Sequence, residues 1–283
     1  MPAAPGTLRH ALRNWRVLAG GAILLALVIA AVFAPALAPN DPLDQDLSAQ
    51  LAPPDWHIGD GAHALGTDSL GRDVLSRLIY GSRVALTVAL IAGVLTALAG
   101  TALGLAAGFF GGWTDIAISR AVDIWSSFPP VLLSIILVAL IGTGLWSVVA
   151  AIVLIDWTRF CRVVRAETLK QRRMDYIDAG VVAGLGPSAI LWREVVPNVL
   201  PLALVLLTLE MGIAVVVEAI LSFVGLSISS DTPSWGGMIA EGREVVHQAP
   251  WLLIGAMLVL LATVLGFNVL GDGLKQELDP VLR

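Results

Sequence analysis

The sequence predicts an all-α integral membrane protein with six transmembrane helices. Of its 283 residues, 57% are hydrophobic and only 14% are charged, and the mean hydropathy is +0.84. An ordinary soluble domain carries roughly 25% charged residues, so this chain has too few charges to cover a water-soluble particle. Its apolar residues fall in separate runs of about 20, the length that one helix needs to cross a bilayer. Short alternating segments, which are typical of an outer-membrane barrel, do not recur.

Six apolar runs, each close to the length of one crossing, are the predicted helices. In chain order they are Val17–Ala38, Val84–Phe110, Ile116–Ile141, Leu145–Arg165, Asn198–Val224 and Ala249–Gly271. The first run has features of a cleaved signal peptide, because Ala36-Leu37-Ala38 resembles a small-residue cleavage site. We expect an uncleaved anchor instead, since its apolar core exceeds the ~7–15 residues of a cleaved signal.

The distribution of lysine and arginine predicts the orientation, because basic residues stay on the cytoplasmic side. With the N-terminus inside, only Arg72, Arg77, Arg83 and Arg243 of the 17 basic residues fall outside, which leaves 13 inside. Both termini are therefore predicted to be cytoplasmic. The predicted segments are a tail at 1–16, the first helix at 17–39, an external segment at 40–82, a five-helix core at 83–272 with a basic cytoplasmic loop at 167–197, and a tail at 273–283.

Composition and missing motifs argue against several classes of function. A net charge of −5 argues against nucleic-acid binding. A single cysteine, Cys161, excludes an intrachain disulfide and a multi-cysteine metal or iron–sulfur site. The phosphate-binding pattern G-x-x-x-x-G-K-[ST] does not occur, so we expect no ATP hydrolysis by this chain. We therefore predict that the chain itself has no catalytic residue and binds no metal and no cofactor.

Gly100, Gly104 and Gly108 recur at every fourth position of the second predicted helix. Small residues at this spacing let two helix backbones approach closely in lipid, where packing drives helix association. We predict a helix-packing face here, either against another helix of this chain or against a partner subunit.

Three acidic residues lie inside predicted helices, where a lone charge costs at least about 2.5–3.5 kcal/mol. Asp156 is followed three positions later by Arg159, so the two are predicted to form an ion pair on one helix face. Glu210 and Glu218 are eight positions apart, or about 80° around a helix, and therefore face broadly one side. They are candidates for lining or gating a path through the membrane, and partners on another helix are the alternative.

The long cytoplasmic loop reads as a short helix, a break and a second helix. Glu167–Gly184 carries helix formers and charges, and Gly184-Leu185-Gly186-Pro187 then interrupts the helix, because glycine permits unusual backbone angles and proline cannot continue a helix. Ser188–Val196 resumes with apolar residues. Such a loop suits insertion into a groove on a soluble partner. A helix lying on the lipid headgroups, with Trp192 as its anchor, is the alternative.

Three stretches carry a family resemblance. Leu65–Gly81 has glycines with alternating Asp and Arg, which also suggests a compact ion-paired turn leading into the second helix. Tyr176–Gly180 is followed by Gly184 and Pro197, and Glu218–Leu226 is followed by Pro233–Gly236. In this order the stretches resemble the permease subunits of the dipeptide/oligopeptide/nickel importer family of ATP-binding-cassette (ABC) transporters, over about Leu65 to the C-terminus.

The second stretch bears on coupling to an ATPase. Importers of this superfamily carry E-A-A, three residues, a glycine and further on I-x-L-P. Here the spacing is kept but four letters differ, at Asp178, Gly180, Glu194 and Val196. The resemblance implies an ATPase-coupling loop that includes Asp178, Ala179, Gly180, Gly184 and Pro197.

The resemblance further implies the type I ABC importer permease fold and a bacterial inner-membrane location. The expected partners are a second permease, two ABC ATPases that hold ATP and Mg, an extracytoplasmic solute-binding protein and membrane lipid. The expected solute is a di- or oligopeptide, with nickel or a metal chelate as the runner-up. A stand-alone secondary transporter would show repeats and paired charges, and an intramembrane enzyme would need an acid pair or metal ligands at one depth; neither pattern is evident.

Overall fold

The structure, a computed structural model, describes residues 14–55, 63–227 and 232–278. Within these ranges the regular structure is helical, apart from one isolated β-bridge between Thr67 and Asp73. Most of the predicted 1–16 tail, positions 56–62 of the external segment and the last five positions of the 273–283 tail lie outside the described residues. The main helices are α1 (Trp15–Val32), α2 (Val74–Phe110), α3 (Gly112–Ser126), α4 (Pro130–Ile141), α5 (Leu145–Gln171), α6 (Asp175–Val182), α7 (Pro187–Phe223), α8 (Trp235–Glu244) and α9 (Pro250–Leu278).

Helix α2 has 37 residues and is about 56 Å long. It starts earlier than the predicted crossing, because the Asp73 carboxylate accepts a hydrogen bond of 2.8 Å from the Ser76 amide and caps the helix N-terminus. The helix ends at Gly111, whose φ of 66° breaks the helical geometry. The helix that follows the ion-paired turn and the second crossing are therefore one continuous element.

The expectation of one continuous third helix from Ile116 to Ile141 is wrong. The structure has two helices there, α3 and α4, bent by 88° at a short break. Pro129 is the last residue of the break, and Pro130 is the first residue of α4. Proline disfavours helical geometry in the residue before it and lacks the amide hydrogen of a helical bond, so Pro129 is extended, at φ −61° and ψ 121°.

Four helices of the described residues are long and apolar enough to cross a bilayer, namely α1, α2, α7 and α9. The bent pair α3–α4 makes a fifth crossing if its halves act as one broken span. Helix α5 has 27 residues, but Asp156, Arg159 and Arg162 interrupt its apolar character. It also extends beyond its predicted end at Arg165, to Gln171.

Three buried apolar clusters hold the helices together. The first cluster joins α2, α7, α8 and α9 through residues such as Leu78, Val215, Trp235 and Leu252. The Trp235 indole also donates a hydrogen bond of 3.0 Å to the Leu78 carbonyl. A middle cluster joins α2, α4, α5 and α7. The third cluster joins α5, α6 and α7 at the opposite end, and so attaches the α6 loop to two long helices.

The glycine stripe of α2 packs against α5 of the same chain. A β-carbon added to Gly100 would lie 2.6 Å from the Trp157 carbonyl oxygen, and one added to Gly104 would lie 2.8 Å from that of Cys161. One added to Gly108 would lie 2.7 Å from the Thr168 β-carbon. These distances are too short for any side chain, so glycine is what lets the two backbones touch.

Candidate coupling loop and intramembrane charge cluster

Helix α6 ends in a turn built on glycine. Gly184 has φ +83°, and its amide donates to the Val181 carbonyl at 3.0 Å. The next amide, of Leu185, donates to the Gly180 carbonyl at 3.0 Å. These two bonds form a Schellman motif, which satisfies the carbonyls left over at a helix end and requires a left-handed residue. The predicted break at Gly184 is confirmed.

One face of α6 is anchored to the long helices. Ile177 of α6 packs with Val164 of α5 and with Ile190, Val195 and Val199 of α7, and all five are buried. The Tyr176 hydroxyl donates a hydrogen bond of 2.5 Å to the Gln171 side chain at the end of α5. A force applied to α6 would therefore reach both α5 and α7.

The opposite face of α6 is open. Asp178, Ala179 and Gly184 are exposed, whereas Gly180 is buried. Val181 and Val182 are 57% and 89% exposed, which is unusual for valine at the tip of a charged loop. The predicted coupling residues thus divide into an outward set and one inward glycine.

Pro197 lies on the exposed side near the start of α7, just after a π-helical turn at Leu191–Val195. Proline removes a helical hydrogen bond and crowds the preceding turn, and a π-turn is one way for a helix to absorb such a disturbance. The side-chain amide of Asn198 donates a hydrogen bond of 2.5 Å to the Glu194 carbonyl. The helix continues through the proline, from Pro187 to Phe223.

Asp156, Arg159 and Glu210 form a charge cluster between α5 and α7. The Arg159 guanidinium lies 3.6 Å from the Asp156 carboxylate and 3.3 Å from that of Glu210, to which it donates a hydrogen bond. The predicted Asp156–Arg159 pair is confirmed. Glu210 is 1% exposed, and its Oε1 has no hydrogen-bond partner in the described residues. One arginine thus pairs with two acidic side chains between α5 and α7.

Sequence reasoning missed the contact between Arg159 and Glu210, although the position of each residue along its helix could have predicted it. Arg159 is 14 residues from the start of α5, and Glu210 is 13 residues from the end of α7. These offsets are about 21 and 20 Å, so the two charges lie at one level if the helix ends do. Opposite charges at one depth pair in membrane proteins.

Glu218 lies about 12 Å along α7 from Glu210, at 1.5 Å per residue, and has different partners. Its Oε1 accepts hydrogen bonds from the hydroxyls of Ser222, at 2.5 Å, and Ser227, at 3.2 Å. The Ser227 carbonyl in turn accepts a bond of 2.8 Å from the Gly144 amide, in the turn between α4 and α5. Glu218 is also 1% exposed, so within this chain it joins the end of α7 to a neighbouring turn.

A second charge cluster joins the predicted external segment to α8. Arg72 and Arg77 both pair with the buried Asp68, which confirms the predicted ion-paired turn. Both arginines also reach Glu241 of α8, at 3.1 and 2.7 Å. Glu241 is far away in sequence and no local pattern marks it as a partner.

Comparisons with known proteins match both the N-terminal part of the chain and the rest of it to transport permeases. Residues 100–283 match the family described as binding-protein-dependent transport system inner membrane component, and residues 6–54 match the N-terminal TM domain of oligopeptide transport permease C. The dipeptide transport system permease protein DppC of Haemophilus influenzae is 36% identical over 272 residues, covering 96% of this chain and 92% of that protein.

Two further relatives match over a similar share of this chain. The di/tripeptide transport system permease protein DppC of Pseudomonas aeruginosa is 38% identical over 271 residues, covering 95% of this chain and 89% of the relative. The glutathione transport system permease protein GsiD of Pectobacterium atrosepticum is 36% identical over 281 residues, covering 97% and 90%.

A solved structure shows the same fold. It is the MetNI methionine ABC transporter in inward-facing conformations, and the match has a TM-score of 0.53 and 19% identity over 70% of this chain and 96% of that one. The helical architecture is thus that of a type I ABC importer permease. Proteins of the matched family act with ATPase and binding-protein partners. The chain therefore belongs to the family of binding-protein-dependent transport system inner membrane components, as a multi-pass transport subunit of a bacterial inner membrane.

Proposed function

We propose that this subunit forms half of the translocation path of an ATP-driven importer of di- or oligopeptides. The relatives support the solute class, since they are named as permeases of dipeptide, di/tripeptide and glutathione transport systems. The observation that carries the ATP-driven part is the α6 loop, in which one face is anchored to two long helices and the other leaves two valines exposed.

The proposal includes six crossings with both termini in the cytoplasm. Helix α5 would be the sixth crossing, since its 27 residues extend about 40 Å. Its Asp156 and Arg159 are compatible with a span because they pair with each other and with Glu210. Six crossings return the chain to its starting side, and they place the α6 loop with the basic segments on the cytoplasmic side.

The outward residues Asp178, Ala179 and Gly184, together with Pro197, are proposed to contact an ATPase. Exposed Val181 and Val182 support this, because burial of their apolar side chains against a partner would lower the free energy of the complex. Closure of the ATPases would push α6. The buried contacts of Ile177 with α5 and α7 would pass that movement to the crossing helices.

The proposed assembly contains this chain, a second and similar permease, two ABC ATPases and an extracytoplasmic solute-binding protein. ATP and Mg would bind to the ATPases, and this chain would need no cofactor and catalyse no reaction. Its part is mechanical, since it forms one wall of the path and receives movement at the α6 loop.

Reconstitution tests the proposal. The subunit is purified with its cognate permease and ATPases, placed in liposomes, and supplied with the cognate binding protein and labelled Ala-Ala. We expect uptake that requires both ATP and the binding protein and survives ionophores that collapse ion gradients. Uptake driven by an ion gradient without ATP would indicate a secondary transporter, and uptake of nickel or a nickel chelate but not Ala-Ala would indicate a metal importer.

A further inference from the structure

A cavity of about 270 Å³ lies where the bend between α3 and α4 faces the middle of α5. The side of the bend contributes the aromatic rings of Trp125 and Phe128, and α5 contributes Asp156, Arg159 and Arg162. Aromatic surface with a few convergent polar groups is the usual composition of a small-molecule site.

The charges around this cavity are not placed for contact with lipid. The side chains of Arg159 and Arg162 are 48% and 55% exposed, and Arg159 is about 21 Å from the start of α5, at 1.5 Å per residue. An arginine that faces acyl chains at such depth is costly, so charged groups inside membranes face water-filled cavities or other protein. The exposed side of this cluster therefore faces an aqueous path or a partner subunit.

Hydrogen-bond donors remain unused at the cavity. The indole Nε1 of Trp125 is buried and has no acceptor among the described residues. Arg159 has five N–H donors, and within the same ranges its one hydrogen bond goes to Glu210. Buried donors are normally satisfied, so the Trp125 N–H is suited to a ligand that supplies an acceptor oxygen. The half-exposed Arg159 guanidinium can donate to the same kind of group.

We propose that this cavity is a solute-contact site in the translocation path. Trp125 and Arg159 would donate hydrogen bonds to carbonyl or carboxylate oxygens of the passing peptide, and the Phe128 ring would contact an apolar side chain. Asp156 and Glu210 hold Arg159 in place as positioning residues. The inference rests on the proposed peptide-importer function, and it names where along the path the peptide is touched.

Photo-crosslinking tests the site directly. The complete wild-type complex in nanodiscs, with ATPases and binding protein, turns over ATP in the presence of a dipeptide of alanine and photo-leucine. After irradiation, mass spectrometry locates the adducts. We expect them on the bend around Trp125–Pro130 and on α5 between Ile155 and Val163, and we expect excess Ala-Ala to remove them. Adducts confined to other segments would overturn the inference.

Matched variants provide the second measurement. Trp125→Phe keeps the ring but removes the N–H, and Arg159→Gln removes the guanidinium. Each is expected to lower adduct yield at the cavity, and maximum Ala-Ala uptake at saturating loaded binding protein, by about threefold to tenfold, the range for one hydrogen bond. Trp113→Phe, at an exposed position of α3, is the control and should match wild type.

The outcomes separate the two proposals. If the wild type imports Ala-Ala while Trp125→Phe and Arg159→Gln give wild-type adducts and uptake, the contact site is wrong and the importer function stands. If a wild-type complex that hydrolyses ATP imports no Ala-Ala, the peptide function fails, and the contact site fails with it. Basal ATP hydrolysis without solute, measured for every variant, identifies any that are misfolded.

Discussion

At the scale of single residues, backbone conformation decides what a glycine does. Gly184 and Gly186 lie two positions apart in the same exposed loop, and a β-carbon added to either would meet nothing within 4 Å. Yet Gly184 has φ +83° whereas Gly186 has φ −71°. Only the first conformation is costly for other residues, by roughly 1–2 kcal/mol. The two positions therefore separate backbone strain from crowding.

Gly184→Val is expected to weaken ATPase docking while leaving the crossing helices inserted. Valine in a left-handed conformation would open the Schellman turn, and a loss of 1–2 kcal/mol corresponds to a change of about 5–30-fold in an equilibrium. The measurement is the amount of ATPase that co-purifies with a tag on this subunit, together with solute-stimulated ATP turnover. Gly186→Val is the control and should behave as wild type.

Equal and full ATPase recovery in both glycine variants would show that the turn at Gly184 is not part of the coupling element. The loop would then be better explained as a helix lying on the membrane surface, with the exposed Trp192 as its anchor.

Glu218→Gln is expected to assemble normally and to transport more slowly. The amide oxygen of glutamine can still accept from Ser222 and Ser227, so the local contacts survive and only the charge is lost. Hydrogen bonds to a charged group exceed neutral ones by about 1 kcal/mol, which predicts a fall in maximum uptake of about fivefold. Uptake at the wild-type rate would mean that Glu218 is a structural hydrogen-bonding group or is already protonated. Glu218→Ala, which removes both acceptor oxygens, would then reduce assembly.

At the scale of helices, small residues and prolines decide how the elements meet. The glycine stripe of α2 brings its backbone against α5, while Pro129 and Pro130, at the junction of α3 and α4, accompany an 88° bend of the chain. The stripe is visible in the sequence as a four-residue repeat. The choice of α5 as its partner is not visible, because every apolar helix offers a similar surface and only the assembled bundle selects one.

Gly104→Val is expected to destabilise the α2–α5 pair. An added β-carbon would lie 2.8 Å from both the Cys161 carbonyl oxygen and the Val164 β-carbon, and overpacking of this kind costs about 1–3 kcal/mol. The measurement is the thermal unfolding temperature of the purified complex. This temperature should fall for Gly104→Ala and fall further for Gly104→Val. Gly21→Val on α1, where an added β-carbon meets nothing within 4 Å, is the control. Equal unfolding temperatures for Gly104→Val and Gly21→Val would contradict the close packing.

At the scale of the whole molecule, topology places the charge cluster of α2 and α8 at the opposite end of the bundle from the α6 loop. Asp68, Arg72, Arg77 and Glu241 lie at the end of the bundle formed by the start of α2 and by α8. The α6 loop lies at the other end of α5 and α7. If the first end is external, the second must be cytoplasmic, where ATPases are.

Single cysteines test this orientation. Ser48 lies in the predicted external segment and Ser188 lies in the first turn of α7, and both are exposed. In cells stripped of any outer membrane, Ser48→Cys should react with an impermeant thiol reagent, and Ser188→Cys should react only after lysis. The native Cys161 is buried and gives a low background. The reverse labelling pattern would invert the topology and remove the basis for ATPase docking.

Much of the fold could be read from the sequence, because its causes are local. Lipid admits helices of about 20 apolar residues, so composition and run length alone predicted an all-α membrane protein. The left-handed break at Gly184, the Asp156–Arg159 pair and the ion-paired turn before α2 each depend on residues within a few positions of one another, and the structure has them all.

Only the tertiary structure decided which distant groups meet. Arg159 binds Glu210 across 51 positions, Arg77 reaches Glu241 across 164, and the α2 glycines find α5 rather than another helix. The sequence also predicted a single third helix from Ile116 to Ile141, because an apolar run records hydrophobicity and not the angle of the chain at Pro129. Pairing partners depend on which helix faces lie together at one depth, and that is settled by the packing of the whole bundle rather than by any single segment of the chain.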